Sequence, residues 1–157
     1  MADEAKSFMV EDAFIRFRNF EGREERFNQK GQRNFVIDLT PEVAEQMIED
    51  GWNVNFYEPQ NAEEGDEPIP IIRIGVRYDI RPPRIYLLTE TTRTQLDESA
   101  VEVLDWADIK TVDLIARGYE WNVNGKTGVK AYLQSMFVTI QEDALERKYK
   151  IHEEQPQ

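Results

Sequence analysis

The 157-residue sequence contains no cysteine. Disulfide frameworks, zinc–thiolate sites and cysteine nucleophiles are thereby excluded, and a reducing compartment suits the chain. Its one histidine, His152, lies near the C-terminal end, a poor foundation for a serine–histidine–aspartate triad. Long apolar runs are missing as well, and none approaches the roughly 18 residues of a membrane span. The opening "MADEAKSFMV" lacks the basic-then-apolar pattern of a signal peptide. A soluble, cytoplasmic protein with no membrane partner is expected. No glycine-rich phosphate loop is present. "VNGKTG" includes Gly-Lys-Thr, but the upstream glycine is absent and the context is a hairpin. Asp105, Asp108, Asp113 and Glu120 are acidic and close in sequence, as the ligands of a magnesium-dependent nuclease would also be, but capping and solubility are the expected account of them. No cofactor, metal or catalytic activity is expected.

Positive charge is scarce: 19 Lys and Arg stand against 31 Asp and Glu, a net charge of −12. That total argues against broad, non-specific binding to a polyanion. The bases are unevenly spread, however. "FIRFRNFEGREERFNQKGQRNF", Phe14 to Phe35, holds six basic and three acidic residues and five phenylalanines. Residues 58–67 hold five acids and no base.

The chain is read as one domain, 1–157, long enough to bury a core unaided. Residues 8–20 alternate as a strand, with Phe14, Arg16, Arg18 and Phe20 on one face and Ala13, Ile15 and Phe17 on the other. Parity leaves open which face turns outward. "NFVIDL" (34–39) reads as a buried strand. "TPEVAEQMIEDG" (40–51) reads as a helix, capped by Thr40, begun by Pro41, ended by Gly51, with Val43, Ala44, Met47 and Ile48 as its apolar stripe. A short strand (53–57) and an acidic loop expected to be mobile (58–70) follow. "IIRIGVRYDI" (71–80) splits cleanly: Ile72, Ile74, Val76, Tyr78 and Ile80 on one side, Arg73, Gly75, Arg77 and Asp79 on the other. "RPPR" breaks it, "RIYLLTE" (84–90) is a further strand, and 96–106 reads as a short helix. Two long strands, 109–123 and 128–140, flank Asn124-Gly125, a strong hairpin turn. A helical turn and a frayed tail (150–157) end the chain. Many strands with one or two short helices and a long hairpin indicate a mainly β protein, a barrel with a sandwich as competitor.

The hairpin carries the most specific signal. A two-residue loop pairs Val123 with Lys126, Tyr119 with Lys130 and Arg117 with Tyr132; a four-residue loop pairs Trp121 with Lys130. Both registers place Arg117, Tyr119, Trp121, Lys130 and Tyr132 on one face. Aromatic rings stack on unpaired bases for about 1–3 kcal/mol each, and neighbouring cations hold the phosphates. Arg73 and Arg77 on one strand, and Arg16, Arg18 and Phe20 on another, repeat the pattern. Lys30, Arg33 and Lys126 complete the expected electropositive groove. The competing view is a solvated basic face over a core of strand aromatics.

"DLIARGYEWNVNGKTGVKAYLQSMFVTIQED", with "RPPRIYLL" before it, resembles the single-stranded DNA-binding proteins of tailed bacteriophages, the T7 type among them. The resemblance extends loosely over residues 8–150 and is strongest over 109–143. It implies an OB fold, a small Greek-key barrel, and sequence-independent binding of single-stranded DNA in replication, recombination and repair. It places binding residues at Tyr119, Trp121, Lys130 and Tyr132, in the host cytoplasm, with replication or recombination proteins and a second copy of the chain as possible partners. T7-type members end in an acidic tail with a terminal aromatic, whereas this chain ends "KYKIHEEQPQ". The alternative is a structural or adaptor β-barrel that binds no nucleic acid.

Overall fold

The computed structural model describes residues 6–26 and 28–141. The C-terminal turn and the 150–157 tail lie outside them. Among the described residues nine strands form one sheet: β1 (Ser7–Val10), β2 (Ile15–Asn19), β3 (Arg33–Asp38), β4 (Val54–Tyr57), β5 (Ile69–Val76), β6 (Arg84–Leu88), β7 (Arg93–Leu96), β8 (Ile109–Val123) and β9 (Lys126–Ile140). Helix α1 spans Pro41–Glu49, and a 3-10 turn spans Val101–Asp105.

The strand order is β1-β8-β9-β5-β3-β2, with β4 added to β5 and a β6–β7 pair added to β9. The two ends of this order, β1 and β2, are successive pieces of one chain run. Between them Ala13 N donates to Val112 O, and Phe14 O accepts from Asp38 N. The run thus leaves β8 and reaches β3 within a few residues, so the backbone bridges a ladder that stays open between β1 and β2. β5 and β9 are parallel, pairing Ile74 with Ala131 and Gly75 with Tyr132. This is the partly open Greek-key barrel of OB-like folds.

The hairpin takes the two-residue register, Val123 opposite Lys126, Tyr119 opposite Lys130 and Arg117 opposite Tyr132. Asn124 and Gly125 both have positive φ, +54° and +82°, as a type I′ turn requires. Alternation in β5 holds from Ile72 to Val76, whose apolar members are buried while Arg73 is exposed. The core gathers Phe20, Phe35, Ile37, Ile72, Ile74, Ile85, Leu104, Leu114, Leu133 and Met136, each fully buried. Thr40 caps α1 by accepting from Val43 N, and Ala44 and Met47 are buried. Val43 and Ile48 stay about half exposed, so only half of the expected stripe faces the core.

Three expectations are corrected. Residues 8–20 are two strands, and β2 carries a bulge between Arg16 and Asn19, where three steps on β2 match two on β3. Phe17 within the bulge has φ +51°, a conformation that costs a non-glycine residue about 1–2 kcal/mol. The bulge reverses parity, so Phe20 turns inward and stacks on Phe35. β5 stops at Val76 rather than residue 80. The helix expected over 96–106 is a five-residue 3-10 turn, preceded by strand β7, which alternation did not reveal. Residues 58–68 form the acidic loop, and Ile69 and Pro70 already belong to β5. Among the described residues no helix is long and apolar enough to cross a membrane.

Candidate nucleic-acid interface

Because β2, β3, β5, β9 and β8 lie side by side, their outward side chains meet along one trough. It consists of three adjoining depressions of about 470, 690 and 310 Å³. The first joins the second at Asn28, Asn34 and Arg73; the second joins the third at Arg77 and Tyr132. Nine basic and three acidic side chains line the whole, in a chain with 19 bases and 31 acids. The charge balance along this surface is therefore opposite to that of the molecule.

The hairpin end is aromatic. Tyr132 lies against Gly75, where a Cβ would sit 2.9 Å from its ring. Glycine is needed there for the ring to lie on the strand. Tyr119, 62% exposed, meets Tyr132 edge-on with centroids 6.4 Å apart. Arg77 and Lys130 stand 5.9 and 5.2 Å from the Tyr132 centroid. Trp121 is half-buried and packs over Gly128, where a Cβ would come within 2.6 Å of its ring. Arg117 is half-buried and donates to Arg81 O at 2.8 Å. Burial first, and the charge of Arg81 second, lower its pKa. Arginine remains protonated even so.

The centre is cationic. Arg73 donates to Asn34 Oδ1 at 2.7 Å, so the buried Asn34 of β3 orients its guanidinium. Arg33 donates to Phe20 O and Glu98 and lies 5.7 Å from the centroid of Tyr78. Arg77 forms a two-point pair with Asp79 at 2.6 and 3.0 Å. That hydrogen bonding raises the pKa of Arg77 and lowers that of Asp79.

The trough brings together eight of the residues expected from sequence: Arg18, Arg33, Arg73, Arg77, Arg117, Tyr119, Lys130 and Tyr132. Trp121 and Lys126 lie farther out on the hairpin, and Lys30 is exposed next to the trough residue Gly31. Phe20 and Arg16 differ from expectation, and Arg18, though in the trough, is tied into the fold. Phe20 is fully buried and has no face to offer a base. Arg16 is held by Asp38 at 2.7 and 3.1 Å, between the rings of Phe14 and Tyr57 and outside the trough. Arg18 Nη1 donates to Leu104 O and Ala107 O, which fastens the 3-10 turn to β2. Three of the four acids considered as metal ligands have backbone and ionic roles. Asp105 accepts from Phe20 N and Glu21 N, Asp113 accepts from Asp12 N, and Glu120 lies 4.0 Å from Lys6. Sequence reasoning missed Phe17, Arg23, Arg26, Tyr78 and Arg81 as trough residues. Three of these are arginines in irregular segments, where no strand parity assigns a face; only the local density of arginine pointed to them.

Residues 2–155 match the family model described as a putative phage ssDNA-binding domain. No curated protein matches the chain. Among solved structures, the single-stranded DNA-binding protein of bacteriophage Enc34 in complex with ssDNA superposes with a TM-score of 0.54 at 9% identity, covering 87% of this chain and 88% of that one. Its C-terminal truncation gives 0.53 at 9% identity, covering 87% of each chain. These likenesses show the fold. The single-stranded DNA-binding protein encoded by bacteriophage T7 aligns over 98% of this chain and 99% of its own at 9% identity, with a TM-score of 0.38.

Proposed function

The chain belongs to the phage ssDNA-binding family, and from that membership we propose that it holds single-stranded DNA in the trough by stacking bases on Tyr119, Trp121 and Tyr132 while arginines and Lys130 take the phosphates. Binding is independent of sequence, because every base has a face to stack and the phosphates are the same at each step. The protein acts without catalysis, covering exposed strands during phage DNA replication, recombination and repair in the host cytoplasm. Replication or recombination proteins are the partners such a role calls for.

The observation that carries this reading is the coincidence of two features in one place. The reversal of charge along the trough and the surface rings of the hairpin share Arg77, Lys130 and Tyr132. Cations alone would suit any polyanion, duplex included. Rings beside them suit bases that are unpaired, since a duplex hides base faces in its own stack. Anisotropy of a labelled oligonucleotide, titrated with salt, tests this directly. Single strands bind far more tightly than the matching duplex, and log affinity falls linearly with log salt, by about 0.7 for each phosphate contact. Equal affinity for duplex and single strand would sink the stacking mechanism. No binding at low salt would sink the function.

A further inference from the structure

Phe17 is presented at two costs. Its backbone is left-handed, φ +51°, within a strand. The residue is 50% exposed. A phenylalanine in extended backbone would send its ring to one side of the sheet like its neighbours; the bulge instead carries Phe17 out while Phe20 goes in. The ring meets Tyr57 edge-on, centroids 5.2 Å apart, so one of its faces is not covered by that contact. It lines the trough with Arg23, Arg26 and Arg73, at the end opposite Tyr119. Strain at a bulky residue that is also exposed in a groove is the signature of a side chain held for contact with a ligand.

We propose that Phe17 is a second base-stacking platform, so that a bound single strand is gripped by rings at both ends of the trough and by cations between them. The proposal rests on the reading of the trough as the single-strand site. β3 and β5 lie between β2 and β9, so the Phe17 platform is three strand spacings from Tyr132 and four from Tyr119. At about 4.8 Å per spacing this is about 14 and 19 Å. A short oligonucleotide reaches the hairpin rings or Phe17, and only a longer one reaches both. Affinity therefore rises in a step with strand length, and the step belongs to Phe17.

The test uses the full chain and labelled oligothymidylates of about 4 to 16 nucleotides, the range of site sizes for OB folds. Phe17→Gly removes the ring and fits the left-handed backbone. It melts no lower than the wild type, binds short strands as the wild type does, and loses the step, weakening long strands about 5- to 150-fold. Phe17→Trp restores the step. Wild-type affinity for every length in the glycine variant would overturn the proposal, as would a glycine variant that unfolds, since the ring would then be holding β2 against β4. Failure of the underlying reading looks different: the wild type itself would bind no oligonucleotide of any length.

Discussion

Tyr78 lies in the wall of the trough with its hydroxyl shut away from solvent and without a hydrogen-bond partner, the one such buried side-chain atom among the described residues. An unmet buried hydroxyl costs about 1–3 kcal/mol, whereas a ring without it costs nothing of the kind. Tyr78→Phe is therefore expected to stabilise the protein by about 1 kcal/mol in urea unfolding. The pH dependence gives a second readout. Burial pushes the pKa of Tyr78 up to about 12, with Arg33 opposing and Asp97 and Glu98 adding to the rise. A folded pKa above the unfolded value of about 10 favours the fold below pH 10 and withdraws that support as pH climbs through the folded value. The wild type loses stability between about pH 10 and 12, and the phenylalanine variant lacks that part of the loss. If the variant is less stable at neutral pH, the hydroxyl is satisfied in solution and the account of Tyr78 is wrong.

The elements differ in how far their residues announced them. The β8–β9 hairpin was legible because a single dipeptide, Asn124-Gly125, fixes both the turn and the parity of two 15-residue strands. β5 was legible because it buries one face and charges the other. The β1–β2 run was not. Nothing in "RFRNF" signals a left-handed phenylalanine, and one extra residue in the bulge was enough to exchange Phe20 and Phe17 between core and surface. β7 was missed because "RTQL" is exposed at three positions and alternates with nothing. Arg16 and Arg18 were rightly placed on β2, but their guanidiniums found Asp38 and two carbonyls, partners that only the tertiary fold brings near. The fit between β5 and β9 gives this scale its prediction. Gly75 is not at positive φ, so alanine suits its backbone, but the new methyl would overlap the Tyr132 ring. Gly75→Ala should leave the protein folded by circular dichroism and displace the ring, weakening single-strand binding by the worth of one stack, about 1–3 kcal/mol. Unchanged binding would remove Tyr132 from the site.

Across the whole molecule, the acids outside the trough turn a net charge of −12 into guidance. A strand meets repulsion over most of the surface and attraction along one line. Exposed Arg73 and Arg77 are the cations to remove in testing this, because Arg16 and Arg18 are tied into the fold and their loss would be read as instability. Arg73→Ala with Arg77→Ala should keep the melting temperature near wild type and flatten the salt dependence of binding by about 1.4 in log–log slope, two phosphates' worth. An unaltered slope would mean that the phosphates run elsewhere. The bridge between β1 and β2 has a consequence of another kind, in time. The β8–β9 hairpin is local and can zip within microseconds. β2 and β3 are also close in sequence, Ile15 against Ile37, whereas β1 must find β8 across more than a hundred residues, Ser7 against Arg117. Loop closure of that length is slow to be rewarded, so folding belongs to the millisecond-to-second range of β-barrels. The rings of the hairpin and the arginine-rich β2–β3 end of the trough would each be set early, and the β1–β8 pairing would be the last to form and the first to open.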